Sequence, residues 1–164
     1  MKNLAFLNKI GREGKLKTAE PSLEISLSYL QKSENCLKSA SLLFENRLYE
    51  NATAEAYYSM YNALLSLLFK IGIQSENHTA SILLLKEFLD EPKLYDTLIF
   101  AKEERIDKQY YVTSQQTIKA NYDSCKDMLR KAEDVLVQIK LVIDGMSNEK
   151  SIAIRKKLLQ LLPL

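Results

Sequence analysis

The stretch EERIDKQYY, Glu103 to Tyr111, sets Arg105 five residues ahead of Tyr110 and Tyr111, with Asp107 between. On charge pattern alone, Glu103, Glu104, Arg105, Asp107 and Lys108 make a solvated helix end laced with intrahelical ion pairs. A second group, AEAYYSMYNALL, gathers Tyr57, Tyr58 and Tyr61 among the small residues Ala54, Ser59 and Ala63. Such phenols either sit at the boundary of a closely packed helix or line a cleft where a base stacks and a hydroxyl donates to phosphate. His78 is the third candidate, placed at the start of a helix. It either bonds a neighbouring backbone group or serves as a catalytic base, a role that needs a partner from elsewhere in the chain. The chain carries no nucleophile motif, no glycine-rich phosphate loop and no paired acidic metal motif. One histidine is too few for a zinc site, and Cys36 and Cys125, far apart, read as reduced core thiols. No metal or cofactor is expected.

The composition sets wide bounds. At 164 residues the chain has the length of one domain, enough to bury about 70% of its unfolded surface. A hydrophobic share of 46% with 27% charged residues is that of a soluble globular protein. Four glycines and three prolines disfavour a turn-rich β fold. The net charge of +2 makes no strong demand for nucleic acid, although a local basic patch is compatible with it. No apolar run reaches a membrane-spanning length, and MKNLAFLNKI lacks the form of a signal peptide, so a cytoplasmic location is expected.

The elements that must position these residues read as helices. GREGK, after a short apolar N-terminal segment, reads as a flexible link, and Pro21 suits the first turn of a helix. From about Ser22 to Asn46, Leu23, Leu27, Leu30, Leu37 and Phe44 share one stripe with Ala40 and Leu43. A second helix runs from about Ala52 to Ile71, with Gly72 as its stop; LLSLLF is apolar nearly all round, which makes this the enclosed, central helix. QSENH offers caps for a short third helix ending near Pro92, and a fourth starts near Lys93. VTSQQ breaks the pattern. A long last helix then spaces Ile118, Tyr122, Cys125, Leu129, Ala132, Leu136, Ile139 and Ile143 by fours and threes, until Gly145. The tail, Asn148 to Leu162, sets leucines beside Arg155, Lys156 and Lys157. The expected fold is all-α: an up-and-down bundle of four or five helices with an additional C-terminal helix. The expected divisions are an N-terminal extension (1–15), the bundle (16–145) and a basic amphipathic helix (146–164).

The order of these landmarks closely resembles that of the HEPN family of small bacterial and archaeal helical domains. GKLKTAEPS leads through SENCLKSASLLFENRLYENATAEAYYSMYNALLSLLFKIGIQSENH to KEFL, to ERIDKQYY and to the long last helix, so the likeness spans Gly14 to Ile143. The resemblance implies a bundle that dimerises around a cleft. It also implies metal-independent ribonuclease activity in many members, and frequent pairing with a small nucleotidyltransferase as the toxin half of a toxin–antitoxin system. The family motif is an arginine followed, four to six residues on, by a histidine. The arginine stabilises charge on the scissile phosphate, and the histidine moves a proton as the ribose 2′-hydroxyl attacks.

Here Arg105 matches the arginine, but Tyr110 stands where the histidine would be. Other members carry an Asp-Tyr pair at this place; against them Tyr110 matches and Gln109 replaces the aspartate. A phenol, with a pKa near 10 against about 6.5 for imidazole, is a poor proton acceptor at pH 7. The resemblance therefore implies phosphate contact by Arg105, with Asp107 as orienter and Tyr110, Tyr111 and the Tyr57, Tyr58 and Tyr61 group beside it. His78 replaces the missing histidine if the fold brings it near Arg105. Tyr110 or Tyr111 is the candidate acceptor for nucleotidylation by a partner. The leading expectation is a homodimeric nucleotide- or RNA-binding protein working with a nucleotidyltransferase and lacking the usual ribonuclease activity. The alternatives are an endoribonuclease toxin using Arg105 with His78 or Tyr110, or a non-enzymatic interaction scaffold docking a partner through its C-terminal helix.

Overall fold

The computed structural model describes residues 2–110 and 121–162, the side chains of 107–110 excepted. VTSQQ, Ile118 and Tyr111 lie outside the described residues, as do the side chains of Asp107 and Tyr110. The described chain runs α1 (Lys2–Arg12), β1 (Leu16–Thr18), α2 (Leu23–Glu45), α3 (Tyr49–Ile71), β2 (Ile73–Ser75), α4 (His78–Glu87), α5 (Pro92–Tyr110), α6 (Tyr122–Asp144) and α7 (Asn148–Leu161). This is the expected all-α bundle. None of these helices is long and apolar enough to cross a membrane.

Helix α3 forms the axis, packed against α2, α5 and α6. Its near-continuous apolar sequence leaves Ala56, Met60, Ala63, Leu64, Leu67, Leu68 and Ile71 without exposed surface. The helix stops where expected. Gly72 adopts the left-handed conformation, φ 87°, and its N–H reaches the carbonyls of Leu68 and Phe69. A β-carbon there would lie 2.6 Å from the Ala19 carbonyl oxygen, so both the turn and the close approach require glycine.

The leucine stripe drawn for α2 needs correction. Leu23 and Leu27 are 56% and 57% exposed, while Ser26, Ser33 and Ala40, spaced by seven, are buried against α3. Small side chains let the two helices approach closely, and their hydroxyls are satisfied across the seam. Ser26 and Ser66 lie 3.1 Å apart, Ser33 lies 3.2 Å from the Ser59 hydroxyl, and Ser33 also donates to the Ser59 carbonyl at 2.7 Å. Leu23 and Leu27 face outward, whereas Leu37, half-buried, packs against the core beside that seam.

Two further features were not anticipated. The segment after GREGK is a strand: β1 pairs antiparallel with β2, Leu16 opposite Ser75, Lys17 opposite Gln74 and Thr18 opposite Ile73. Helix α1 also packs inward. Its Leu7 and Ile10 join Leu158 of α7 in the same core as the bundle. Helix α6 buries Cys125, Ala132, Leu136 and Ile139 as its spacing implies, with Met128 and Val135 alongside, whereas Tyr122 is 49% exposed.

Candidate functional site

Two turns of α3 and the first turn of α4 build the site. Asn77 caps α4, its side chain accepting the Ala80 N–H at 2.9 Å, which sets His78 as the first helical residue. The β2 strand just before it delivers α4 alongside α3. Ser81 ties the corner by donating to the Ser75 hydroxyl at 2.8 Å, and the Tyr61 hydroxyl lies 3.2 Å from Ser81.

His78 rests between two tyrosines of α3. Its ring stacks on Tyr61 at a centroid distance of 3.8 Å and an interplanar angle of 19°. Its Nδ1 lies 2.6 Å from the Tyr57 hydroxyl. Tyr57 is wholly buried and Tyr61 nearly so, and burial raises the pKa of both phenols, so they stay protonated. Burial lowers the pKa of His78, and the positive charges of Arg105 and Lys102 lower it further. The positive end of the α4 dipole acts in the same direction. The imidazole is neutral at pH 7.

Arg105 reaches the cluster from α5. It donates from Nη1 to the Tyr58 hydroxyl at 2.7 Å, with Cζ 5.2 Å from the Tyr57 ring centre and 5.4 Å from that of Tyr58. The side chain is therefore half-buried against aromatic faces, and the solvated helix end read from charge pattern does not describe it. Its Nε is buried and has no hydrogen-bond partner among the described residues. Lys102, three residues earlier on the same face of α5, donates to the Thr79 hydroxyl at 2.6 Å. Among the described residues, no carboxylate lies within ion-pair distance of Arg105 or Lys102. Cations gathered without a counter-ion among the described residues make a place suited to an external anion.

Of the residues drawn from sequence, the fold thus brings together Arg105, Tyr57, Tyr58, Tyr61 and His78. Sequence reasoning missed Lys102, Thr79 and Ser81. The signal for Lys102 was its (i, i+3) spacing from Arg105, which puts both cations on one face of α5. No group of three or more metal-ligating side chains occurs among the described residues. A groove of about 650 Å³ lies elsewhere, lined by Leu89, Glu91, Leu141, Lys150 and Lys157 among others, and it offers no imidazole and no arginine.

The model of the HEPN domain matches residues 26–142, most of the chain. The chain belongs to the HEPN family. Over 116 residues it is 28% identical to a candidate toxin of Methanocaldococcus jannaschii, covering 68% of this chain and 78% of that protein. A UPF0332 protein of Archaeoglobus fulgidus is 34% identical over 67 residues, 41% of this chain and about half, 54%, of that protein. The matched HEPN region takes in α3, the start of α4 and α5, and so every described residue of the cluster.

Proposed function

We propose that this HEPN protein is a toxin-type RNA-binding protein that holds a phosphodiester at Arg105, with Lys102 and His78 beside it and the Tyr57–Tyr58 pair as the wall. The observation that carries the reading is the Arg105 guanidinium, fixed by Tyr58 and two ring faces, with no carboxylate within ion-pair distance among the described residues. The candidate toxin of M. jannaschii supports the toxin class. Asp107, Tyr110 and Tyr111 belong to the same proposal as orienter and flanking phenols. Family membership supports a homodimer and a nucleotidyltransferase partner, with Tyr110 or Tyr111 as the residue that partner would modify.

A second reading, metal-independent cleavage of RNA, is favoured by one specific observation: a neutral imidazole bonds the hydroxyl of Tyr57, the tyrosine whose ring Arg105 overlies. One pair of experiments separates the two. Single-stranded RNA binding should weaken about tenfold or more in Arg105→Ala, the loss expected for a charge-assisted phosphate contact. Equal affinity of the variant and the parent would defeat the binding reading. Incubation with total RNA should leave it intact; Arg105- and His78-dependent cleavage would instead establish the ribonuclease.

A further inference from the structure

The hydrogen bond between Tyr57 and His78 has a direction, and that direction sets what His78 can do. A phenol and a neutral imidazole can share one hydrogen bond in two ways. The phenol donates to Nδ1, which leaves the ring proton on Nε2, or a protonated Nδ1 donates to the phenol oxygen, which leaves Nε2 bare. The surroundings of Tyr57 choose between them. Its hydroxyl is buried, and among the described residues His78 Nδ1 is its only acceptor. Arg105 lies over the Tyr57 ring and has only N–H groups to offer, Lys102 is held by Thr79, and the Tyr61 hydroxyl is engaged with Ser81. If Nδ1 carried the proton, the Tyr57 O–H would be buried without an acceptor. That loss favours the first arrangement by at least about fivefold.

We propose that Tyr57 is the positioning residue that locks His78 in the tautomer protonated at Nε2, so that the imidazole meets a bound phosphodiester as a hydrogen-bond donor and not as a base. The inference rests on the anion-site reading above and sharpens it. Nε2–H, the Arg105 fork and the Lys102 amine would all donate to phosphate oxygens, and no lone pair would remain to take the proton of a 2′-hydroxyl. This gives a physical reason why the site captures RNA and leaves it uncut. Cleavage would require the ring to exchange its tautomer and the Tyr57 hydrogen bond to reverse, leaving the buried phenol proton without an acceptor.

The chain has one histidine, so long-range proton–nitrogen NMR of the uniformly nitrogen-15-labelled protein sees one imidazole. Above neutral pH the full-length protein should show a protonated Nε2 and a bare Nδ1, with the second tautomer at least about fivefold less populated. In Tyr57→Phe both nitrogens should move toward the average of the two tautomers. In Tyr61→Phe, which removes a hydroxyl bonded to Ser81 and spares Tyr57, they should stay where they are. A proton on Nδ1 in the parent protein, or an evenly mixed population there, overturns the proposal without any variant. Unchanged nitrogen shifts in a folded Tyr57→Phe do the same. None of these outcomes depends on RNA, so loss of the anion-site reading, seen as equal RNA affinity of Arg105→Ala, remains a separate result.

Discussion

His78 occupies a position that disfavours its own charge. It is half-buried beside Tyr61, faces Arg105 and Lys102, and begins α4; the burial, the two positive charges and the helix end favour the neutral ring. Because its pKa is lowered on folding, the unfolded chain binds the proton first as pH falls from about 6.5. Stability at this residue should therefore be complete above that pH and decline below it, until the folded-state value is passed. Urea unfolding followed from pH 7.5 to 5 should show this decline, and His78→Gln should flatten it; an equal slope in both proteins would reject the assignment. The members of the cluster were recognisable one at a time, as an arginine, three tyrosines and a histidine. Their convergence was not, because Arg105 and His78 lie far apart in sequence and the angle at which α4 meets α3 is set by distant contacts: the antiparallel β1–β2 corner, the Ser81–Ser75 bond and the packing of α4 against α1 and α5.

At the scale of elements, the punctuation was the most legible. Gly72 ends α3, Asn77 opens α4 and Gly145 follows α6, as local signals suggest, whereas α4 stops at Glu87, short of the end near Pro92 drawn for it, and Pro92 is the first residue of α5. Gly72→Ala should cost more than the roughly 1–2 kcal/mol of a left-handed residue, since the added methyl also meets the Ala19 carbonyl. Chemical denaturation reads this directly, and a variant as stable as its parent would contradict the turn described. The inner face of α2 was misread for a reason that applies to close helix pairs. Hydropathy favours the leucines, whereas the tightest contact selects the smallest side chains, and Ser26 and Ser33 are buried only because α3 supplies hydroxyl partners. The short strands escaped notice because three residues are too few for a period-two pattern to show.

At the scale of the whole molecule, the first and last helices close the bundle. Leu7 and Ile10 of α1 and Leu158 of α7 share its core, and the Asn8 side chain donates to the Leu161 carbonyl. Leu158→Ala should destabilise the entire protein by about 2–5 kcal/mol in a single cooperative transition. A change confined to fraying of α7, with the main transition unmoved, would show that helix to be an accessory. The serine seam has a consequence for the aromatic cluster on the other side of α3. Ser59 and Ser66 lie nearly in line along the helix, while Tyr57 and Tyr61 project from the opposite side. Helix α3 thus works as an axle, keyed by hydroxyls at its back and carrying the aromatic wall at its front. A bulkier residue at Ser33, at the back of α3, would turn that axle and detune the grip on His78 and Arg105 together.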